Sequence, residues 1–169
     1  WSLSQRECVG TIQRRANVCS VQFSPDSAHV LAYGAVDGKI YVHDQRHLAR
    51  PLATLAGHRK AVSYVRWMGA DRIVSSSTDN TLRLWDVKRS MMAERDGFGA
   101  SEGNRFGESS SGACSRVFAG HANQKNFVGL SVAPDGHIAC GSEDNSVCLY
   151  ARCVPTPIAR QSLAATARA

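Results

Sequence analysis

An internal repeat constrains the fold of this 169-residue chain more than any other feature. Each copy has an Asp in a turn, then alternating apolar residues, and then an aromatic or imidazole ring six positions after that Asp. The three copies are residues 36–44, 78–86 and 143–151. Asp79 follows Asp37 by 42 residues, whereas Asp144 follows Asp79 by 65, so about 23 residues are inserted before the third copy. Repeats of this period indicate a stack of one supersecondary unit.

Gly-His pairs before two of the copies identify the repeated unit. Gly57-His58 lies before the second copy and Gly120-His121 before the third, and the second copy ends in Trp85-Asp86. Gly-His followed by Trp-Asp in a unit of roughly 40–45 residues is the signature of WD repeats, each of which forms a four-stranded blade of a β-propeller. We therefore predict an all-β fold, a propeller fragment of about three blades and part of a fourth, of an expected seven.

Alternating apolar residues between turns predict the strands of each blade. First strands are predicted at residues 18–23, 62–67 and 127–132, second strands at 30–35, 73–77 and 138–142, and fourth strands at 52–55 and 115–118. The repeat copies supply the third strands, and no segment has helical periodicity. The resulting domains are closing strands of a preceding blade (residues 1–14), three blades (15–56, 57–119 and 120–158) and a disordered tail (159–169).

The insert of the second blade spans residues 89–113 and is rich in Gly and Ser. Such a composition buries too little apolar surface to order itself, so we predict a flexible loop between the third and fourth strands. Met91 and Met92 are candidates for a docking element, although a solvated spacer is the simpler interpretation.

Composition and charge bound the class of function. The net charge is +6, but the arginines are scattered, so a basic face for acidic peptides fits at least as well as a nucleic-acid-binding face. The six cysteines show neither Cys-x-x-Cys nor zinc-finger spacing, which indicates reduced thiols rather than a metal site. No apolar run is long enough for a membrane helix. Because the chain opens on Trp1 rather than Met, we expect a fragment.

The residues around the second copy predict a buried chain of hydrogen bonds. The expected order is Trp85, Ser77, His58 and Asp79, in which every buried polar group has a partner. His, Ser and Asp also make up a hydrolase triad. A nucleophilic Ser, however, needs an exposed position and an oxyanion hole, and the chain has no Gly-x-Ser-x-Gly turn. We therefore assign these residues a structural role and predict that the chain is not an enzyme.

The other two copies depart from this pattern. The third copy has the equivalent His121, Ser142 and Asp144, with Tyr150 in place of Trp, and we predict a second structural tetrad there. The first copy keeps Asp37 in the turn but has no Gly-His pair. We expect its blade to be held by packing alone.

Several stretches resemble the plant suppressor-of-phytochrome-A proteins. They are residues 16–25, 60–65, 77–82, 120–131 and 138–143. The most specific is Asn-Gln-Lys-Asn-Phe-Val-Gly-Leu at residues 123–130. The constitutive-photomorphogenesis proteins share much of this pattern, but the long insert before Ala113 favours the suppressor branch. The resemblance covers about residues 1–158.

The resemblance implies a function that composition does not. Members of this family carry a kinase-like region, a coiled coil and a C-terminal seven-bladed propeller that binds Val-Pro peptides of transcription factors and photoreceptors. With the photomorphogenesis ligase subunit they join a cullin-type ubiquitin ligase through an adaptor and repress light responses in the nucleus. The resemblance thus implies a protein-interaction scaffold without a cofactor. The alternatives are a generic WD-repeat scaffold of another assembly and a basic propeller that binds nucleic acid.

A peptide groove is the first site that the resemblance implies. It uses the Lys after the Gly-His loop, here Lys60, and the Phe of the Asn-Phe-Val-Gly-Leu run, here Phe127. A cation beside an aromatic ring suits an acidic residue next to Val-Pro. Phe127 as a buried core ring is an equally good interpretation. The photomorphogenesis proteins have a His after the Asp of the earlier turn, where this chain has Gly38.

An adaptor-docking box is the second implied site. In related propellers it reads Trp-Asp-x-Arg, and this chain has two incomplete copies. The first keeps the acid and the Arg at Asp44 and Arg46, and the second keeps the acid and replaces the Arg at Asp86 and Lys88. An exposed Arg at the edge of a blade can anchor an interface, but arginines also simply cover surfaces.

Overall fold

The computed structural model describes residues 4–95 and 113–162, and within them the chain forms three antiparallel four-stranded sheets, one for each repeat. The first contains β1 (Val18–Phe23), β2 (Val30–Ala35), β3 (Lys39–Asp44) and β4 (Ala53–Ala56). The second contains β5 (Val62–Met68), β6 (Arg72–Ser77), β7 (Thr81–Asp86) and β8 (Cys114–Phe118). The third contains β9 (Leu130–Val132), β10 (His137–Ser142), β11 (Ser146–Ala151) and β12 (Ala159–Ser162).

Strands that follow one another in sequence lie side by side in each sheet, which is the arrangement of propeller blades. The tight turns before the third strands each contain a residue with positive φ: Gly38 at 78°, Asn80 at 66° and Asn145 at 61°. Gly and Asn are the residues that adopt this conformation at least cost. The predicted all-β propeller fragment is confirmed.

Two apolar cores lie between the sheets. The core between the first and second sheets includes Ile40, Leu55, Val65 and Trp85, and the core between the second and third includes Leu82, Phe118, Ile138 and Tyr150. Successive residues of β6 serve different cores, since Ile73 faces the first and Val74 the second. Because side chains alternate between the two faces of a central strand, the second blade packs against both of its neighbours.

Gly34 shows how closely the first two sheets approach. A Cβ at this position would lie 2.6 Å from Cγ1 of Val62 and 2.9 Å from Cγ2 of Val65. Real Cβ atoms do not approach neighbours so closely, and packed cores have little room to shift. Glycine in the second strand of the first blade is thus required by the packing of the next blade.

The outer faces of the end sheets carry exposed apolar side chains. Val21 and Phe23 of β1 are 59% and 52% exposed, and Val147 of β11 is 42% exposed. In a propeller, faces of this kind pack against the neighbouring blades.

The start of the predicted flexible insert is a helix instead. Helix α1 spans Val87–Arg95, and the carboxylate of Asp86 caps it by accepting the Arg89 N–H at 3.0 Å. Met91 packs against the first core and Ser90 is buried. Capping and tertiary packing stabilise this short helix, although its sequence lacks helical periodicity. Residues 96–112 of the insert lie outside the described residues.

Both ends of the chain also differ from the predicted domains. Residues 8–14 form no strand, and Arg14 there makes side-chain hydrogen bonds to the first blade. The predicted disordered tail begins instead with β12, which pairs with the free edge of β11 from Leu149↔Ala159 to Ser146↔Ser162. Backbone pairing makes no demand on side-chain polarity, so the Ala-rich composition did not reveal it. Residues 1–3 and 163–169 lie outside the described residues.

Three general features of the described residues bear on function. No helix among them is long and apolar enough to cross a membrane. No group of His, Cys, Asp and Glu side chains in residues 4–95 and 113–162 is arranged to hold a metal ion. The six cysteines are free thiols.

Candidate partner-binding surfaces

The polar side chains of the second repeat form one hydrogen-bonded chain through the blade. Nε1–H of Trp85 donates to Oγ of Ser75 at 2.8 Å, and that Oγ lies 2.7 Å from Nε2 of His58. Nδ1 of His58 lies 3.0 Å from Oδ2 of Asp79. With the Nδ1 proton donated to the carboxylate, Nε2 accepts the Ser75 hydroxyl, and each member of the chain has a partner.

The serine of this chain is Ser75, and the prediction of Ser77 is wrong by two positions. Side chains two apart on a strand point to the same face, so the sequence pattern fitted both serines. Ile73 lies directly opposite Trp85 across the β6–β7 pair, which brings Ser75 nearer to the indole than Ser77. Ser77 lies beside the turn, where its hydroxyl donates to the Lys60 carbonyl at 3.2 Å and accepts the Asp79 N–H at 3.2 Å.

The electrostatics of this chain fit a structural role. Burial raises the pKa of Asp79, but hydrogen bonds from His58, Thr81 and the Arg59 N–H outweigh that effect, so its pKa lies well below the usual range. Burial lowers the pKa of His58, and the attraction of Asp79 opposes this only in part. Ser75 is fully buried between two partners, so its hydroxyl cannot meet a substrate.

The third repeat does not form the predicted tetrad. Nδ1 of His121 lies 3.0 Å from the Tyr150 hydroxyl, and Nε2 of His121 has no hydrogen-bond partner within residues 4–95 and 113–162. The position equivalent to Ser75 is Cys140, which lacks a strong hydroxyl partner for the imidazole.

The two remaining predicted members of that tetrad bond elsewhere. Oγ of Ser142 accepts the Ala122 N–H at 2.9 Å. Asp144 pairs with Arg160 of β12 and accepts the Ser146 hydroxyl at 2.5 Å. The sequence pattern does not predict β12, and therefore does not predict that Arg160 in this strand pairs with Asp144.

The first repeat has a polar network of its own, so the expectation of packing alone is wrong. Nε of Arg14 donates to the Tyr33 hydroxyl at 2.9 Å, and Nη2 lies 3.1 Å from Nε2 of His43. The Tyr41 hydroxyl donates to Oδ2 of Asp37 at 2.7 Å. Arg14 also stacks on the Tyr41 ring, with 4.3 Å from Cζ to the ring centre. Arg14 thus bonds to Tyr33 and His43, which stand at the repeat positions of Ser75 and Trp85 in the second blade.

The two candidate groove residues, Lys60 and Phe127, lie at the same edge of neighbouring blades. Lys60 lies two residues before β5, and Phe127 lies three residues before β9. Because β5 and β9 contact each other, their starts define one edge, which we call the groove edge. Phe127 is 51% exposed and stands before the strand rather than in it, so the interpretation as a buried core ring is wrong. The assignment of both residues to peptide binding stays a prediction.

Gly38 lies directly below the loop that carries Lys60. Its φ of 78° is left-handed, and a Cβ there would lie 2.8 Å from the His58 carbonyl oxygen and 3.1 Å from that of Lys60. Any side chain at this position would require that loop to move. Gly38 therefore permits the close approach of the loop that carries Lys60.

The candidate adaptor residues lie at the opposite edge, where the third strands end. Arg46 and Asp44 form a bidentate salt bridge, in which Nη2 donates to Oδ2 at 2.7 Å and Nε donates to Oδ1 at 3.0 Å. The Arg46 side chain is 61% exposed while that of Asp44 is 9% exposed. The pair lowers the pKa of Asp44 below its usual range. Asp44 therefore orients an exposed guanidinium at this edge, which we call the adaptor edge.

The second candidate box is not an equivalent pair. The Asp86 carboxylate caps helix α1, and Lys88 forms an ion pair with Asp71 at 2.8 Å, from Nζ to Oδ2. Asp86 and Lys88 therefore do not cooperate as Asp44 and Arg46 do. Their assignment to adaptor docking is weakened by these other partners, and it stays a prediction.

Two residues at the groove edge were not singled out by sequence reasoning. Asn123 is fully buried, and its side-chain amide donates to Oγ of Ser76 in the neighbouring blade at 3.1 Å. Glu143 accepts three consecutive backbone N–H groups of the loop before Phe127. The available signal was the length of that loop, which needs more internal support than the short Gly-His loop of the second blade.

Comparison with known proteins agrees with the geometry of the blades. The family described as "WD domain, G-beta repeat" matches residues 6–44, 49–86 and 112–151. The chain belongs to the WD-repeat family. A chain in the crystal structure of the mitotic checkpoint complex matches 89% of this WD-repeat chain with a TM-score of 0.66. The match covers 40% of that other chain, and the two sequences are 22% identical, so the likeness supports the fold alone.

Sequence relatives resolve the branch within the WD-repeat proteins. The chain is 49% identical to Protein SUPPRESSOR OF PHYA-105 1 and 48% identical to Protein SPA1-RELATED 3, both of Arabidopsis thaliana, over 94% of its length. It is 37% identical to E3 ubiquitin-protein ligase COP1 of the same plant, again over 94%. The predicted resemblance, nearer the suppressor branch, is confirmed. The chain spans 14%, 17% and 20% of these three relatives.

Proposed function

We propose that this WD-repeat chain is a protein-interaction scaffold that recognises substrates for a cullin-type ubiquitin ligase repressing light signalling in plants. In this proposal the groove edge holds Val-Pro segments of transcription factors and photoreceptors, and the adaptor edge holds the ligase adaptor. The chain would act in the nucleus beside a photomorphogenesis ligase subunit. The observation that carries the proposal is the 49% identity to Protein SUPPRESSOR OF PHYA-105 1 over 94% of the chain.

The geometry of the groove edge supports a peptide ligand. An exposed cation and an exposed aromatic ring lie on neighbouring blades, at the same edge. A carboxylate near Lys60 would gain a partly solvated attraction, and Val-Pro against Phe127 would remove apolar surface from water. Both edges can be occupied at once, since the candidate adaptor residues lie at the other ends of the strands.

Titration of a labelled acidic Val-Pro peptide against the full chain tests the groove. Phe127→Ala should weaken binding by about 2 kcal/mol or more if the ring is a central anchor. Lys60→Glu should weaken it through charge reversal, and added salt should weaken binding to the wild-type chain.

Lys88→Glu is the matched control for this titration. It makes the same charge reversal at the adaptor edge and should leave peptide affinity unchanged. Equal affinities for the wild type, Lys60→Glu and Phe127→Ala would reject the peptide groove and leave a WD-repeat scaffold of another assembly. Binding of nucleic acid with a steep dependence on salt would favour a basic propeller instead.

Capture of the ligase adaptor tests the second edge. Arg46→Ala should weaken capture without unfolding the blade, because the guanidinium is exposed and its only described partner is Asp44. Arg152→Ala is a suitable control, since Arg152 is an exposed arginine at the equivalent turn of the third blade. Equal capture by the wild type and Arg46→Ala would remove Arg46 from the site. A fluorescent fusion of the chain that stays outside the nucleus would contradict the proposed location.

A further inference from the structure

The loop that presents Phe127 depends on one carboxylate. Oε1 of Glu143 accepts the backbone N–H groups of Gln124 at 2.9 Å, Lys125 at 2.7 Å and Asn126 at 2.7 Å. The Glu143 N–H in turn donates to the Ala122 carbonyl at 2.8 Å. Glu143 lies in the turn between β10 and β11, so a rigid part of the blade holds the loop from below.

The second blade lacks this arrangement because it does not need it. Its loop from Gly57 to β5 is shorter than the loop from Gly120 to β9, and the position equivalent to Glu143 is Thr78. A Thr hydroxyl has too few lone pairs to accept hydrogen bonds from three backbone N–H groups, whereas a carboxylate accepts several at once. The three N–H groups also lower the pKa of Glu143, so the group stays charged at neutral pH.

A second anchor ties the same loop to the blade that carries Lys60. The N–H of Asn123 donates to Oδ1 of Asn80 at 2.7 Å, and its side-chain amide donates to Oγ of Ser76 at 3.1 Å. Ser77, the next residue, donates to the Lys60 carbonyl at 3.2 Å. Hydrogen bonds therefore connect the loop of Phe127 with the loop of Lys60, and Glu143 supplies the part nearest the ring.

We propose that Glu143 is a positioning residue of the peptide groove, which holds the Phe127 loop in its binding conformation before the peptide arrives. This inference rests on the proposed function of the groove edge. Without the Glu143 carboxylate, the three N–H groups hydrogen-bond to water instead, and the loop samples more conformations. Binding would then have to order the loop, and affinity would fall although no contact with the peptide is lost.

The test is titration of the same labelled Val-Pro peptide against variants of the full chain. Glu143→Ala should weaken binding about three- to tenfold, the size expected for ordering a few residues on binding. Glu143→Gln keeps an oxygen acceptor and should recover most of that loss. Asp135→Asn is the matched control, because Asp135 caps the turn at the other end of the same blade and its change should leave affinity unchanged.

Two further measurements separate positioning from general damage to the fold. Amide hydrogen exchange should speed up at Gln124, Lys125 and Asn126 in Glu143→Ala, while the paired amides of β10 and β11 keep their protection. In a double-mutant cycle with Phe127→Ala, the effect of Glu143→Ala should largely disappear, because the loop then has no ring to position.

The outcomes distinguish this inference from the proposed function. If Phe127→Ala weakens binding and Glu143→Ala does not, the groove stands and the positioning role is wrong. If neither substitution changes affinity, the groove and the positioning role are both wrong. Loss of protection throughout β10 and β11 in both Glu143 variants would show a structural role and would also overturn the proposal.

Discussion

The second and third blades carry the same Gly-His pair and the same Ser-x-Asp turn, but they use them differently. In the second blade His58 joins Asp79 to Ser75 and Trp85 in one buried chain. In the third blade, Tyr150 is the one hydrogen-bond partner of His121 in the part of the chain that the structure describes, and Nε2 has none there. Asp144 meanwhile pairs with Arg160 in the outermost strand.

A single position explains much of this difference. Ser75 of the second blade has a hydroxyl that can accept from an indole and donate to an imidazole, whereas Cys140 of the third blade offers only a weak donor and acceptor. Without that bridge the imidazole of His121 bonds to Tyr150 in β11 but, among the described residues, to no group of β10. The comparison teaches that the Gly-His and Asp residues mark the blade, while the residue between them decides whether a continuous polar chain forms.

Substitution of Trp85 in the second blade and of Tyr150 in the third should show the largest contrast in the free energy of unfolding. Trp85→Ala should lower the free energy of unfolding by about 3–5 kcal/mol, because it removes a fully buried indole. Tyr150→Phe should cost only about 1–2 kcal/mol, since it keeps the ring and removes the hydroxyl bonded to His121. Chemical denaturation of the full chain measures both, and similar small losses would contradict the packing described for Trp85.

A reciprocal exchange at the deciding position should have a smaller and asymmetric effect. Ser75→Cys should destabilise the chain by about 1–3 kcal/mol, because Trp85 and His58 both lose a strong hydrogen-bond partner. Cys140→Ser should cost less, because its hydroxyl gives His121 a partner in the third blade. Denaturation midpoints of the two variants check this prediction, and equal losses would show that the bridge has no special role.

Acidification should destabilise both blades through their buried histidines and, at lower pH, the second blade through Asp79. Burial lowers the pKa of His58 and of His121 in the folded chain, so both contribute stability above the ordinary pKa of about 6.5 that is lost as the pH falls below it. Asp79 has a lowered pKa, so its contribution is lost only below about pH 4.

The measurement is the free energy of unfolding as a function of pH. Asp79→Asn should reduce the decline below about pH 4, to which Asp44 and Glu143 also contribute, and leave the decline below about pH 6.5 in place. A single acid transition that Asp79→Asn does not alter would contradict the coupling of Asp79 to the folded state.

The smallest effect on stability is expected at the groove edge. Phe127→Ala should change the free energy of unfolding by no more than about 0.5 kcal/mol, because the ring is half exposed and outside the strands. Phe118→Ala, in the core between the same two blades, should cost about 3–5 kcal/mol. Thermal melts of the two variants check the contrast. A large loss of stability for Phe127→Ala would show that this ring belongs to the core and not to the groove.

Most of the fold could be predicted from the sequence because its signals are local. Alternation in residues 18–23 and 30–35 predicts β1 and β2 with the observed bounds, and the turn residues mark where the third strands begin. The apolar run that contains Phe127 predicts a strand from residue 127, but β9 begins only at Leu130. The loop before β9 is held by Glu143 from another turn, and local alternation carries no trace of such a contact.

The sequence by itself determined the repeat, the blade count and the family, since these depend on residue types at regular spacings. Only the tertiary structure decided which serine bonds His58, that Arg14 supports the first blade, and that Asp144 pairs with Arg160. It also decided that residues 87–95 form a helix and that 159–162 complete a sheet. The physical reason is that these features depend on contacts between side chains or strands that the local pattern of residue types does not encode, and packing between strands and blades sets those contacts.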